Sequence, residues 1–240
     1  MNAIRRQLTS FRRMIKENAD PERAVHEKQY LKSPFKFFGT SVPFTDKLAK
    51  DFRKANRDVR REDIVELAER LWGSDYHDEK RLGLRVLQYY PEYLDFALMP
   101  VLEKMLAAST GWDCVDDISI HLVGAVLSKD ARTYRYLRRW SASDNFWMRR
   151  AALISQILLF RVGRGDKDLF FGFAEMMISE KEFFIRKAIG WGLREMSKAD
   201  PESVVSFLQR VRNRASGLTL REASKLLSEK QKAGIFLLSK

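Results

Sequence analysis

The sequence contains one cysteine, Cys114, and three histidines, His26, His77 and His121. A single thiol excludes an internal disulfide framework and any multi-cysteine metal site, and it fits a reducing, cytoplasmic compartment. The histidines show no metal-ligand spacing along the chain, so each is expected to be structural and no metal site is expected. No apolar run approaches the roughly 20 residues that a membrane-spanning helix needs. A P-loop, a dinucleotide fingerprint, and Ser-His-Asp or Cys-His arrangements are all missing, which leaves no organic cofactor to expect. Strand-like alternation at regular spacing is missing as well. Acidic residues are in deficit: 32 Asp and Glu face 44 Lys and Arg, a formal charge of +12. That balance favours a polyanionic partner, nucleic acid first and an anionic membrane surface second.

What is present is helical periodicity. Met1 to Glu17 is basic and amphipathic, but the acids Glu17, Asp20, Glu22 and Glu27 follow closely, so it reads as a first structural helix rather than a transit peptide. Glu27 to Phe44 is dense in aromatics and bases, and Thr45 to Arg60 reads as a helix with its charges spread around it. From about Arg61 helical patterns pair. Glu62 to Trp72 goes with Asp78 to Tyr90, Pro91 to Leu106 with Thr110 to Leu127, and Asp130 to Trp140 with Asn145 to Phe160. Asp166 to Ile178 then goes with Glu180 to Met196, and Pro201 to Arg212 with Thr219 to Ser228. Arg149, Arg186 and Arg221 open a loosely shared motif at intervals of 37 and 35 residues (186 minus 149, 221 minus 186). Such a period predicts an all-α solenoid of two-helix repeats, a right-handed superhelix whose second helices line a concave basic groove. The expected organisation is one domain, 1–240: N-terminal helices over 1–60, repeated pairs over 61–228, and a tail over 229–240.

Three of the second helices carry unusual residues. At about 100° per residue, Val115, Leu122, Val123 and Val126 fall within roughly 60° of Trp112, and Asp116 lies only about 40° from it. A carboxylate held beside an indole at the edge of a core must be paired or used. In the next pair Arg150 stands at the centre of an apolar arc of Phe146, Trp147, Leu153, Ile154 and Ile157. A buried ion pair and a phosphate clamp are both open to it. In the pair after that, Ile185, Ile189, Leu193 and Met196 form the core face, while Trp191 points away beside Phe184, Lys187 and Arg194. An indole outside the core among bases is an interaction anchor. A lone carboxylate between aromatic walls can oppose a developing cation and orient a water. Cleavage of a glycosidic bond whose leaving group is already activated, such as a cationic alkylated base on deoxyribose, fits that limited chemistry.

At these residues the chain resembles the AlkD family of DNA alkylation-repair glycosylases, built from HEAT-like repeats. The likeness runs along nearly the whole chain. It is strongest at Tyr30-Leu31-Lys32 with the following Phe-Phe-Gly, at Trp112-Asp113-Cys114-Val115-Asp116, at Trp147-Met148-Arg149-Arg150-Ala151-Ala152 and at Lys187-Ala188-Ile189-Gly190-Trp191-Gly192-Leu193-Arg194-Glu195. The resemblance implies catalytic roles for Trp112, Asp116 and Trp191 and DNA contacts for Tyr30 and Arg150, to which the neighbouring bases Arg149, Lys187 and Arg194 are added. It further implies excision of cationic N3- and N7-alkylated purines from duplex DNA with the lesion left in the helix, unlike the usual base extrusion. A groove of this kind works as a monomer, with no metal or cofactor. Two departures stand out: Asp113 and Asp117 place extra negative charge around Asp116, and Thr40 to Phe44 differs from close relatives. A non-catalytic repeat protein that binds distorted or branched DNA, or RNA, is the alternative, and a protein-protein scaffold the third.

Overall fold

In a computed structural model of the protein, residues 3–236 are described. Among them the secondary structure is helical, apart from one isolated parallel bridge between Lys36 and Tyr76. The chain divides into two compact units, Met1–Ile118 and Ser119–Lys240.

The first unit holds α1 (Ala3–Glu17), α2 (Pro21–Leu31), α3 (Val42–Ala55), α4 (Arg61–Trp72), α5 (His77–Gln88), α6 (Met99–Ala107) and α7 (Trp112–Asp116). Caps set several of the boundaries. Asp20 accepts from the Arg23 amide at the start of α2, and Ser41 from the Phe44 amide at the start of α3. The helix expected from Thr45 therefore begins at Val42. It stops at Asn56, whose side-chain amide donates to the Phe52 carbonyl, short of Arg60. The helix expected from Pro91 is delayed. Pro91–Tyr93 is a tight 3-10 turn held by the Tyr93 hydroxyl on the Val59 carbonyl, and Asp95 caps a second turn before α6 starts at Met99. α1 buries Leu8, Phe11 and Ile15, while Ile64, Leu67 and Leu71 of α4 and Leu82, Leu84 and Leu87 of α5 form the centre.

The loop between α2 and α3 is fixed by one buried acid. Asp78, fully buried in α5, accepts from the amides of Phe38 and Thr40 at 2.8 Å each and from the Thr40 hydroxyl at 2.6 Å. Gly39, between them, has φ +79°, and a Cβ there would lie 2.1 Å from the Asp20 carbonyl oxygen. Only glycine meets both conditions without displacing α2.

The second unit holds α8 (Gly124–Leu127), α9 (Tyr134–Ser141), α10 (Phe146–Ile154), α11 (Ile157–Phe160), α12 (Lys167–Met177), α13 (Phe183–Met196), α14 (Pro201–Val211), α15 (Gly217–Ala223) and α16 (Glu229–Phe236). α10 packs on α9, on α13 and on α12; α13 packs on α15 and α14. The second helices α10, α13 and α15 are therefore neighbours in sequence order, the helical-repeat stacking that the 37- and 35-residue periods predict. At Gly190 a Cβ would come within 2.5 Å of Glu222 Cβ, so the glycine sets how closely α13 and α15 approach. Residues 229–236, expected as part of a tail, form a helix instead.

Two second helices are less regular than a constant 100° per residue allows. After α7 the backbone runs as π-helix over Asp117–Val123 before α8. Even so Val115, Leu122, Val123 and Val126 are all fully buried. The helix expected over 145–160 breaks at Ser155 and Gln156, where the Ser155 hydroxyl donates to the Ala151 carbonyl.

Candidate functional site

In the first unit, Tyr30 sits at the end of α2, just before Lys32 turns the backbone into the left-handed region at φ +48°. The residue is 73% exposed, and its ring packs T-shaped with Trp112, centroids 6.0 Å apart and planes at 89°. The phenylalanines of the same stretch pack instead. Phe37 stacks on His77 at 4.6 Å, Phe38 on Tyr76 at 4.0 Å, and Phe35 lies under the Lys80 ammonium at 4.2 Å. Trp112 opens α7 behind Gly111, and Asp116 closes it where the π segment begins; both are half-buried.

The acids flanking Asp116 are each committed elsewhere. Asp113 receives His77 Nε2 at 2.6 Å, and Asp117 pairs with Arg85 at 3.1 Å. Burial pushes the Asp113 carboxyl upward. The His77 hydrogen bond and charge and the backbone amides of Cys114 and Asp113 outweigh this and hold it below the usual range. Burial pushes the Cys114 thiol well up, with the charges of Asp113 and Asp117 adding to it. The extra acids expected around Asp116 are thus tied up, Asp113 in a hydrogen bond with His77 and Asp117 in an ion pair with Arg85.

In the second unit, Arg150 is 3% exposed. Its Nη1 donates to the Phe184 carbonyl at 2.7 Å, and its guanidinium lies 5.7 Å from the Phe184 ring centroid. Ile185, Ile189, Leu193 and Met196 are buried as expected. Trp191 is half-buried, and its indole N–H donates to Glu195 at 3.2 Å. Burial pushes Glu195 up, but hydrogen bonds from Arg161 at 2.8 Å and Lys198 at 2.6 Å hold it below the usual value.

The neighbouring bases are held by acids that the sequence reading did not single out. Glu222 of α15 accepts from Lys187 at 2.9 Å, Arg194 at 2.9 Å and Lys225 at 2.5 Å, and stays below its usual value although burial pushes it up. Arg149 is bound by Glu180 at 2.9 Å and by the carbonyls of Ser143 and Asp144. Glu195 was findable from its i, i+4 spacing to Trp191. His77 and Asp78 had no local signal, because their partners lie 36 and 38 to 40 residues away.

The stacked helices place the chain with DNA alkylation repair proteins. The family model described as DNA alkylation repair enzyme matches residues 11–227, and the chain belongs to that family. Among solved structures it is similar to a predicted DNA alkylation repair enzyme from Enterococcus faecalis, at 26% identity and a TM-score of 0.78, covering 88% of this chain and 98% of that one. It also shares the fold of AlkD2 from Streptococcus mutans, at 16% identity and a TM-score of 0.61, covering 78% of this chain and 91% of that one. The smu.31 structure from Streptococcus mutans UA159 is similar at 17% identity and a TM-score of 0.57, covering 78% and 98%. No curated protein matches the sequence. No helix among the described residues is long and apolar enough to cross a membrane.

Proposed function

We propose that the chain is a monofunctional DNA glycosylase that hydrolyses the N-glycosidic bond of cationic N3- and N7-alkylated purines in duplex DNA, leaving the lesion in the helix and working as a monomer. The observation that carries this reading is the Tyr30–Trp112 aromatic pair at the start of the short helix that Asp116 closes, in a member of a DNA alkylation repair family. A cationic base needs no acid to leave: the C1′–N bond breaks with its electron pair moving to the base, which becomes neutral, and positive charge appears on the sugar. The Asp116 carboxylate opposes that charge, indole faces add cation-π stabilisation, and a water attacks C1′ and loses a proton to the carboxylate or to solvent. The placement of Asp116 where the helix turns into π geometry supports the reading, since such bulges recur at functional sites.

Trp112 and Trp191 are assigned to the aromatic walls, Tyr30 to contact with the DNA backbone, and Arg150, Lys187, Arg194 and Arg149 to the phosphates. Glu222 is shared by Lys187, Arg194 and Lys225, and Glu195, 3.7 Å from Arg194, is itself held by Arg161 and Lys198, so net positive charge is left there for phosphate. Arg149, shared with Glu180 and two carbonyls, and Arg150, 3% exposed and donating to the Phe184 carbonyl, each have to give up contacts to reach a phosphate. Release of free N7-methylguanine from methylated duplex by the purified protein, above spontaneous depurination, tests the proposal. Salt-dependent DNA binding with no release would leave the alternative, a repeat protein that holds distorted or branched DNA.

A further inference from the structure

His77 opens α5, and Asp113 and Cys114 lie in the first turn of α7. The reaction proposed above uses none of the three. His77 Nε2 lies 2.6 Å from Asp113 Oδ2 and 3.8 Å from Cys114 Sγ, and that sulfur lies 3.8 Å from Asp113 Oδ2. Among the described residues these three form a group of metal-ligating types whose donor atoms all lie within 4.8 Å of one another. A tetrahedral ion with ordinary zinc bond lengths sets sulfur about 3.6 Å from a nitrogen or oxygen ligand and nitrogen about 3.4 Å from oxygen. Both sulfur distances already match to about 0.3 Å, and only the His77–Asp113 hydrogen bond has to open.

Two further observations point to a ligand there. The three side chains line a small cavity of about 10 Å³ beside Ser33, Ser109 and Thr110, which is room for about one water. The imidazole is buried and clamped by the Phe37 stack, so its approach to Asp113 and Cys114 is fixed by packing before anything binds. Its Nδ1 is buried with no hydrogen-bond partner, and because the two ring lone pairs diverge, an ion held by Nε2 leaves that atom as it is.

We propose that His77, Asp113 and Cys114 form a site for a thiophilic divalent transition ion, zinc being the best match, with a water in the fourth position. Sulfur and imidazole select a borderline-soft ion over magnesium or calcium. On binding, the thiol gives its proton to solvent, and thiolate plus carboxylate balance a dipositive ion, so no net charge is buried. The ion ties α5 to the turn that carries Trp112 and precedes Asp116. The absence of a hydrogen-bond acceptor on Nδ1, the usual support of a metal-bound histidine, sets the affinity on the order of micromolar rather than nanomolar.

The site stands apart from the glycosylase reading and is tested without DNA. Untagged full-length protein is stripped with chelator, titrated with Co²⁺ and then back-titrated with Zn²⁺. The expected result is one equivalent of cobalt with a thiolate-to-cobalt charge-transfer band and tetrahedral d–d absorption, both abolished by one equivalent of zinc. Cys114→Ser should lose the charge-transfer band. Asp113→Asn should keep it with at least about tenfold weaker binding. Circular dichroism of each variant separates loss of a ligand from loss of fold. No cobalt absorption in the wild type, or a charge-transfer band that survives in folded Cys114→Ser, overturns the proposal.

Discussion

Replacing Asp78 by asparagine tests how the loop after Tyr30 is held. Oδ1 accepts the Thr40 amide and hydroxyl, and Oδ2 accepts the Phe38 amide. An asparagine oxygen can keep the first two bonds as neutral ones, but its NH₂ then faces the Phe38 N–H, donor against donor. One bond to a charged acceptor is lost, at about 1.5–3 kcal/mol, and two more fall to neutral strength. Arg81, whose Nη1 is 3.7 Å from Glu27 and whose Nη2 is 3.7 Å from Asp78, also loses a counter-charge. The sum is about 3 kcal/mol, which corresponds to a urea midpoint about 1–2 M lower at unchanged slope. Amide exchange at Phe38 and Thr40 should accelerate together. Thr40→Val, which removes a single hydroxyl bond, should cost about 1 kcal/mol and be strongly non-additive with Asp78→Asn. A cost below about 1 kcal/mol for Asp78→Asn, with exchange at both amides unchanged, would refute the anchoring role.

Two more outcomes follow from the second unit. Glu222→Gln leaves Lys187, Arg194 and Lys225 without their shared anion, so affinity for duplex DNA at low salt should rise several-fold. The salt slope should steepen by about one, and weaker binding in anisotropy titrations would contradict this. Asp200 is held down to about 2 by the Lys167 ammonium, and by the Ser203 hydroxyl and amide at the start of α14. A carboxyl depressed in the folded state stabilises above its unfolded value near 4, and that contribution is lost as pH falls toward 2. Asp200→Asn should therefore flatten the stability curve between about pH 4 and 2, and an unchanged acid limb would disprove the linkage.

Much of the architecture was legible because a packed helical repeat writes its period into the chain. The intervals between Arg149, Arg186 and Arg221 predicted helix pairs, and the buried face of α13 lies where a 100° rotation puts it, whereas α10 is buried nearly all round, with Met148 and Ala152 covered and Phe146 only half-buried. Boundaries were less legible, since they depend on which of several capping groups wins. Asp95 and Pro100 delay α6, and Asn145 caps α10. The π segment after Asp116 was invisible, because counting at a constant angle cannot register an inserted residue. The candidate residues were found through their incongruity: Trp191 off the apolar face, Arg150 within one, Asp116 beside an indole. The long-range partners of the residues next to them were not, as Glu222 reaches Lys187 from 35 residues away and His77 reaches Asp113 from 36 (222 minus 187, 113 minus 77).

The most direct measurement is the single-turnover rate of N7-methylguanine release from a defined duplex by wild-type protein and by Asp116→Asn, with binding to the same duplex measured alongside. The account predicts that the variant binds within a few-fold of wild type while release slows by about 100-fold or more, the usual cost of removing one group that stabilises charge in the transition state. Release at the wild-type rate by a well-folded Asp116→Asn protein would contradict it.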